Sequence, residues 1–415
     1  MEIEINSKVE IITKDKTYDG ILVESHDSKI VLLKLESGYN IGINKDSILK
    51  IKKISDSKKE TKLKDINQNE KLPKIAIIAT GGTLACKVDY STGGVSAIET
   101  PSDLLRRFDD LKSIVNFEVH IPYTLDDSSQ VSSVEWKKLA KLVSSLLNKK
   151  EVRGVIVLQG TDTLHYTSAA LSFMLNNLNK PVVLTYSQRS IDRGSSDAFL
   201  NLKCACYAAL SDIAEVMVVG HETTNDDSCL AIRGTKVRKM HSSKRNAFKA
   251  VNEDPLARIF PDGRIEVLNH KHKKRTDNKV EVKSYFEDKT ALIKFFPNAS
   301  SSIIDHFIKE KYKGIIIEAV GLGQLNDSWI HSIKEAISKN IIVGITSQTI
   351  YGRVNPYVYS PARKLEKAGA IFLKDMLSET AYIKIGWLLG QDLGIERVKH
   401  RMLENISNEF NERLI

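Results

Sequence analysis

Two threonines follow apolar runs in this sequence, and both could take part in nucleophilic chemistry. Residues 75–79 predict a buried strand, and Thr80-Gly81-Gly82-Thr83 comes directly after it. Paired glycines allow a sharp turn and a close approach to a ligand. Thr83 would then lie at the carboxyl end of a strand, where open parallel sheets bind ligands. Its hydroxyl is a candidate nucleophile, although a purely structural turn could have the same sequence.

The second threonine follows the strand that we predict at residues 154–158. Gln159-Gly160-Thr161-Asp162-Thr163 comes next and leads into a helical pattern. One threonine at a strand end is common, but two such strand ends, one of which also carries an aspartate, indicate a site. The alternative is that Asp162 or Thr163 caps the following helix.

A lysine and two serines complete the set of candidates. Lys239 lies in the basic run 233–243, and a partly desolvated lysine near an acid and a hydroxyl can transfer a proton. A solvated basic loop is the alternative for that run. Ser128 and Ser129 precede a helix for which Ser132 is the predicted N-cap, with Glu135 completing a capping box. Hydroxyls and free amides before a helix can hold a carboxylate.

Strands and amphipathic helices alternate from residue 74 onward, and this alternation predicts the fold that positions the candidates. We expect strands at residues 75–79, 154–158, 181–186, 215–219, 314–319 and 341–346. Repeated alternation favours an α/β fold with doubly wound parallel sheets. The basic stretch 270–275 lies near the predicted boundary between a larger domain at 74–275 and a smaller one at 285–415, and we expect it to be a solvated loop rather than an RNA contact.

Residues 1–54 have an all-β pattern. Short apolar or alternating runs at 9–13, 17–24, 29–35, 39–43 and 48–54 are separated by turn signals. Short strands of this kind close into small barrels, which avoid exposed edges. We therefore predict a small N-terminal β-barrel, followed by a polar and charged linker at residues 55–73 that cannot bury enough apolar surface to fold.

The bulk composition narrows the class of protein. The chain has 415 residues, a formal net charge of +9 and four cysteines that show neither a disulfide pattern nor a metal-binding set. It has no apolar stretch of about 18 residues and no signal-peptide pattern at its start. We expect a cytoplasmic protein that has no membrane-spanning segment and binds no metal. The absence of a G-x-x-x-x-G-K-[ST] loop suggests that any ATP chemistry resides in another chain.

Together these segments resemble the L-asparaginase/glutaminase superfamily, whose signatures are T-G-G-T at the first strand end and G-T-D-T at a later one. Within that superfamily the chain resembles the GatD family of archaeal glutamyl-tRNA(Gln) amidotransferases. The segments that carry this narrower resemblance are the N-terminal unit with its ending at 38–43, and residues 187–197, 237–242 and 347–354.

The resemblance implies a role for each candidate residue, without deciding which threonine attacks first. The implied catalytic residues are Thr83, Thr161, Asp162 and Lys239. The implied substrate-binding and loop residues are Tyr90 of a mobile loop, Ser128, and Ser129, which stands where many relatives carry glutamine or an acid. Backbone N–H groups near Gly82 and Gly160 are the expected oxyanion donors. Lys239 would be neutral at the moment of attack, and Asp162 would also pair with the substrate α-ammonium.

The resemblance also implies a function and partners. The chain would be a glutaminase subunit that hydrolyses glutamine through an acyl-threonine and supplies ammonia to a GatE-type partner. The partner, with ATP and Mg²⁺, would convert Glu-tRNA(Gln) to Gln-tRNA(Gln), whereas this chain would bind no cofactor. A homodimer core within a heterotetramer is implied, with tRNA(Gln) held mainly by the partner. The alternatives are a free-standing cytosolic L-asparaginase and a catalytically silent binding protein.

Overall fold

The computed structural model describes residues 7–23, 25, 27–35, 40–55, 69, 71–82, 86–88, 95–97, 109–125, 127–189 and 195–413. The chain divides into two units. The first comprises Met1–Asn67 and Cys86–Arg107, and the second comprises Gln68–Ala85 and Phe108–Ile415. All of the predicted α/β strands belong to the second unit.

A five-stranded antiparallel sheet forms the N-terminal part of the first unit. Its strands are β1 (Lys8–Thr13), β2 (Thr17–Val23), β3 (Ile30–Leu35), β4 (Asn40–Asn44) and β5 (Ile48–Ser55). Their order is β4-β3-β2-β1-β5, so the last strand returns beside the first. Val9, Ile11 and Leu33 are fully buried in the core of this sheet. The predicted small all-β unit is confirmed, and each strand overlaps one of the predicted runs.

An eight-stranded sheet lies at the centre of the second unit. Its strands are β6 (Lys74–Ala79), β9 (Asn116–His120), β10 (Val152–Leu158), β12 (Val182–Thr185), β13 (Val216–His221), β14 (Cys229–Arg233), β17 (Ala257–Ile259) and β18 (Ile265–Val267). Their order is β18-β17-β14-β13-β12-β10-β6-β9. The five strands from β13 to β9 in that order are parallel, and β14, β17 and β18 add an antiparallel extension.

Continuous burial explains why the parallel strands could be predicted. Val155, Ile156, Val157 and Leu158 of β10 are all fully buried, as expected for a parallel strand covered on both faces. The helices that connect these strands are α1 (Ser133–Leu147), α2 (Leu164–Met174) and α3 (Ala198–Leu210). The capping box that we predicted at the start of α1 is formed, with Ser132 as the N-cap.

A smaller parallel sheet forms the C-terminal part of the second unit. Its strands, in spatial order, are β20 (Thr290–Lys294), β21 (Gly314–Ala319), β22 (Ile342–Ser347) and β23 (Ile371–Phe372). The helices of this part are α4 (Ser302–Lys309), α5 (Ser328–Ser338), α6 (Ser360–Lys367), α7 (Ser378–Leu389) and α8 (Ile395–Met402). Helix α7 packs against α2, and it also contacts β20, β21 and β22.

Three short two-stranded ladders complete the described strands. They are β7 (Cys86–Val88) with β8 (Val95–Ala97) in the first unit, and β11 (Leu175–Asn176) with β19 (Glu281–Val282) and β15 (Val237–Lys239) with β16 (Phe248–Ala250) in the second. In the described part of the chain, no helix is long and apolar enough to cross a membrane.

The segment that leads into β15 is bonded to the C-terminal part of the second unit. Lys236 Nζ donates to Asp375 Oδ2 at 2.7 Å, and both side chains are almost fully buried. Thr235 accepts a hydrogen bond at its carbonyl from the Thr380 hydroxyl at 3.0 Å, and its own hydroxyl donates to Ser407 O at 2.9 Å. The two residues before β15 are therefore hydrogen-bonded to the C-terminal part of the second unit.

Candidate active site

Strands β6 and β10 bring the two threonine motifs to the same edge of the large sheet. They pair in parallel with Ala79 opposite Leu158, and the Thr80 N–H extends the pairing by donating to Leu158 O at 3.0 Å. Gly81 and Gly82 then have φ angles of +112° and +83°, which residues with a Cβ atom rarely adopt. The chain can therefore turn sharply immediately before Thr83.

Glycines allow three segments to converge at this edge. A Cβ atom on Gly82 would lie 2.3 Å from Gly160 N, and one on Gly160 would lie 2.8 Å from Ser128 Cβ. The ends of β6 and β10 and the loop that carries Ser128 are thus in direct contact. Thr83 and Tyr90 themselves lie outside the described residues, so their roles stay predictions.

Lys239, at the end of β15, contacts both of the residues with which it was predicted to act. Its Nζ donates to Thr161 Oγ1 at 2.8 Å and to Asp162 Oδ1 at 2.5 Å. The Lys239 side chain is 9% exposed, whereas that of Asp162 is 64% exposed. The amine is therefore withdrawn from solvent and hydrogen-bonded to a hydroxyl, while the carboxylate remains open to a charged ligand. A base next to a hydroxyl in this way can activate a nucleophile.

The start of α2 shows that the capping interpretation of this motif is wrong. Thr163 occupies the N-cap position, but its side chain makes no capping hydrogen bond. Its hydroxyl donates instead to Ser128 O at 2.7 Å and accepts a weak hydrogen bond from Gln159 Nε2 at 3.4 Å. Thr163 thus joins the two loops that surround the glycine turns, and Asp162 binds Lys239.

The two serines before α1 have different surroundings. Ser128 is buried beside Gly160, whereas Ser129 is exposed. Both lie in one short 3-10 turn, and the Asp127 carboxylate at its start accepts the Ser129 N–H at 2.6 Å. The Ser129 amide is therefore not free to hold a ligand. The structure brings the Ser128 side chain to the site and leaves that of Ser129 at the surface.

Two buried side chains, His165 and Glu379, and the partly buried Arg238 next to Lys239 form a cluster that the sequence motifs did not indicate. Arg238 Nη1 is 3.0 Å from Glu379 Oε1, and His165 Nε2 is 3.9 Å from the same oxygen. These side chains come from β15, α7 and α2 respectively. Arg238 and His165 are close in sequence to the predicted residues, but nothing in the sequence connects either of them with Glu379, which is far along the chain.

Burial shifts the pKa values of two members of this cluster. It lowers the pKa of His165 to about 3, and the positive charges of Arg238 and Lys239 contribute to the same shift. Burial also raises the pKa of Glu379, against the opposing effect of Arg238. His165 is therefore neutral near pH 7. Among the residues that the structure describes, no group of three or more His, Cys, Asp or Glu side chains could hold a metal ion.

Three protein-family descriptions match successive parts of the chain. The GatD N-terminal domain matches residues 3–54, the asparaginase N-terminal domain matches residues 74–273, and the glutaminase/asparaginase C-terminal domain matches residues 289–402. The superfamily that the threonine motifs predicted is confirmed.

Similar proteins are found along nearly the whole length of the chain, and they are D subunits (GatD) of glutamyl-tRNA(Gln) amidotransferases. The one from Thermococcus kodakarensis is 43% identical over 95% of this chain and 90% of its own length. The one from Pyrococcus abyssi is 44% identical, covering 96% and 93% of the two chains. That of Methanothermobacter thermautotrophicus is 42% identical, covering 99% and 95%.

Solved structures support the asparaginase-like fold. The thermostable L-asparaginase from Thermococcus kodakarensis aligns with a TM-score of 0.74 and 27% identity, covering 82% of this chain and all of that one (100%). L-asparaginase I from Vibrio cholerae aligns with a TM-score of 0.71 and 28% identity, covering 82% and 99%. The fold class predicted from strand–helix alternation is confirmed. Because these near-full-length relatives are all GatD proteins, the chain belongs to the GatD family of glutamyl-tRNA(Gln) amidotransferases.

Proposed function

We propose that this chain is the glutaminase subunit of a tRNA-dependent amidotransferase. It hydrolyses glutamine and supplies the ammonia with which Glu-tRNA(Gln) is converted to Gln-tRNA(Gln). The observation that carries the proposal is the contact of the buried Lys239 amine with both Thr161 and Asp162, at the sheet edge where two glycine turns converge. Family membership supports the overall reaction, and this geometry supports amide hydrolysis by a hydroxyl nucleophile.

In the proposed mechanism Thr83 attacks the side-chain amide carbon of glutamine. Lys239, neutral at that moment, takes up the hydroxyl proton with Thr161 as its hydrogen-bonded neighbour. The proton then passes to the amide nitrogen of the tetrahedral intermediate, and the C–N bond breaks to release ammonia. Backbone N–H groups at Gly82 and Gly160 stabilise the oxyanion, a contribution of about 3 kcal/mol for each donor. Water then attacks the acyl-threonine and releases glutamate.

The substrate is held by charges at the open side of the site. We assign the α-ammonium of glutamine to Asp162, because its carboxylate is largely exposed beside Lys239. We assign the α-carboxylate to the Ser128 hydroxyl, and the closing of the site to Tyr90. The exposed Ser129 hydroxyl offers less to the α-ammonium than the acid or glutamine of many relatives, which fits an enzyme that is activated by a partner.

The proposed partners go beyond what the names of the relatives state. The relatives are named as subunits, so at least one partner chain is implied. We propose a GatE-type partner that uses ATP and Mg²⁺ and holds most of the tRNA(Gln), while this chain binds no cofactor. Two copies of this chain would form the core of a heterotetramer in the cytoplasm.

A free-standing L-asparaginase is the second candidate, because the solved structures with the same fold are L-asparaginases. The two candidates differ in substrate and in their need for a partner. Ammonia release should therefore be measured with glutamine and with asparagine, first for the chain alone and then with the partner subunit and Glu-tRNA(Gln).

We expect glutamine hydrolysis that rises steeply when partner and charged tRNA are both present. Rapid asparagine hydrolysis by the chain alone, indifferent to tRNA, would instead establish an asparaginase. The variant Thr83→Ala is the matched control for a catalytically silent protein. If it supports glutamine-dependent amidation as well as the unchanged chain does, the catalytic assignment is wrong.

A further inference from the structure

We propose that Glu379 is a positioning residue for Lys239. Its carboxylate holds the Arg238 guanidinium and thereby fixes the electrostatic environment in which the neighbouring lysine takes up and releases its proton. The inference rests on the proposed function of the site, and it adds a residue from the C-terminal part of the second unit to the groups that control the reaction.

The geometry of β15 supports this role. Successive side chains of a strand point to opposite faces, and the contacts of β15 follow that rule. Lys239 reaches Thr161 and Asp162, while Arg238 reaches Glu379 at 3.0 Å. Because β15 has three residues, a displacement of the Arg238 backbone would move Lys239 as well.

Glu379 is buried, and its Oε1 is paired with Arg238, whereas its Oε2 has no hydrogen-bond partner among the described residues. Glu379 lies in the first turn of α7, where the helix dipole favours a carboxylate. Its side chain is 7% exposed, and that of Arg238 is 27% exposed. An unpaired charge in as little solvent as surrounds Glu379 is unfavourable, so the Glu379 carboxylate depends on its pairing with Arg238.

Other charged groups surround the pair from several elements. Those that act on Glu379 or on the adjacent His165 are Arg238 and Lys239 of β15, Asp162 before α2, Lys294 of β20 and Glu318 of β21. Of these cations, Arg238 is the one within ion-pair distance of Glu379. His165, with its pKa lowered by burial to about 3, contributes no charge at pH 7.

The proposal predicts the direction in which each of two substitutions shifts the equilibrium between the neutral and the ammonium form of Lys239. Glu379→Gln keeps the shape of the side chain and an oxygen for Arg238, but it leaves the guanidinium charge uncompensated, which favours the neutral form of the Lys239 amine. Arg238→Gln removes that positive charge and favours the ammonium form. For the loss of one unit charge near the amine at an effective dielectric constant of about 20, the shift after salt screening is about 0.5 to 1 pH unit.

The first measurement is kcat/KM for glutamine against pH, with the partner and charged tRNA that the hydrolysis requires. We expect the acidic limb of the profile to move to lower pH in Glu379→Gln and to higher pH in Arg238→Gln. In the double variant it should return close to its original position. If Glu379→Gln does not fold, Arg238→Gln still tests the sign of the shift, and the conservative Glu379→Asp, which keeps the negative charge, should retain the original profile.

The matched control is Glu409→Gln. Glu409 is also a buried carboxylate, and it is paired with Lys384 of the same helix α7. Its loss should lower the stability of the protein without moving the acidic limb. Equal profiles for Glu379→Gln and Glu409→Gln would mean that Glu379 has only a structural role, and would overturn the proposal.

A second readout does not depend on turnover. The rate at which acetic anhydride acetylates Lys239 in the full chain can be followed against pH by peptide mass spectrometry, and it reports the fraction of neutral amine. We expect the same two opposite shifts and the same restoration in the double variant. If no protein hydrolyses glutamine, the proposed function fails while the labelling still decides the role of Glu379. Unchanged labelling in both single variants would overturn that role.

Discussion

The amine of Lys239 is bonded to two acceptors of different chemical character. Its Nζ donates to the Thr161 hydroxyl oxygen and to the Asp162 carboxylate. A charged ammonium and a neutral amine can both make these contacts, but only the neutral amine can take up a proton from a nucleophile. A cation that never loses its proton would keep the contacts and lack this capacity.

Replacing Lys239 with arginine tests this distinction at the residue scale. Arginine keeps the positive charge but is not deprotonated in proteins, so we expect glutamine hydrolysis to fall by about 10² to 10⁴-fold. Lys239→Met should lose a similar factor, and the unfolding temperature should change little in either variant. The measurement is kcat from ammonia release.

Lys249→Met on the paired strand β16 provides the control, since the Lys249 amine donates to Glu222 O and not to the site. It should keep most of the activity. Loss of proton transfer should lower the rate by about 10² to 10⁴-fold. An arginine variant that retains more than about a tenth of the rate would therefore show that positive charge alone suffices at position 239.

At the scale of elements, the site depends on how closely the glycine turns approach one another. In Gly160→Ala the new Cβ atom would lie 2.8 Å from Ser128 Cβ and 2.9 Å from Ser128 Oγ, so the Ser128 side chain must move. Because a displacement of about 1 Å can reduce a rate by about 10²-fold, we expect kcat/KM for glutamine to fall by about 10-fold or more. Steady-state kinetics with varied glutamine measures this.

Gly394→Ala is the matched control, because no heavy atom lies within 4 Å of a Cβ atom built there. It should leave kcat/KM unchanged. Unchanged kinetics in Gly160→Ala as well would mean that the convergence of the Ser128 loop and the β10 turn is not needed for substrate binding.

The elements that the sequence predicted well are those with continuous burial or strong local signals. The strand predicted at 314–319 coincides with β21 (Gly314–Ala319), and the capping box at Ser132 is formed. Strands such as β17 and β18 have three residues each, too few to show a period of hydrophobic residues. Their pairing follows from contacts that are distant in sequence.

The same difference explains which residues of the candidate site could be predicted from the sequence. Thr161, Asp162 and Lys239 stand at strand ends or in polar runs that sequence patterns reveal, and the structure brings them together. Glu379 and His165 have no such pattern, because their proximity arises from the packing of α7 on α2. Arg275 is similar. It lies in a stretch that we expected to be solvated, yet its guanidinium donates to the carbonyls of Arg153, Ala209 and Ser211.

At the scale of the whole molecule, the second unit contains ion pairs in which both charges are buried. Lys384 and Glu409 are fully buried, and burial lowers the pKa of Lys384 against the opposing effect of its partner. Removing one member leaves an unpaired buried charge, so we expect Lys384→Met or Glu409→Gln alone to lower the free energy of unfolding by about 3 to 5 kcal/mol. Urea denaturation measures this.

The double variant Lys384→Met/Glu409→Gln should recover much of that loss, because it leaves neither charge buried. Lys364→Gln is the control, since Lys364 and Asp327 form an exposed pair and exposed pairs contribute little. A loss in the double variant equal to the sum of the single losses would contradict the explanation based on an unpaired charge.

The hydrogen bonds and the ion pair made by residues 235–238 limit how small an active fragment of this enzyme could be. Thr235, Lys236 and Arg238 are bonded to residues beyond position 374, and Lys239 comes next in the chain. A fragment that ends near residue 275 would still contain Lys239 and Thr161. It would lose the bonds from residues 235–238 that orient the Lys239 amine, so the smallest catalytic fragment must include the C-terminal part.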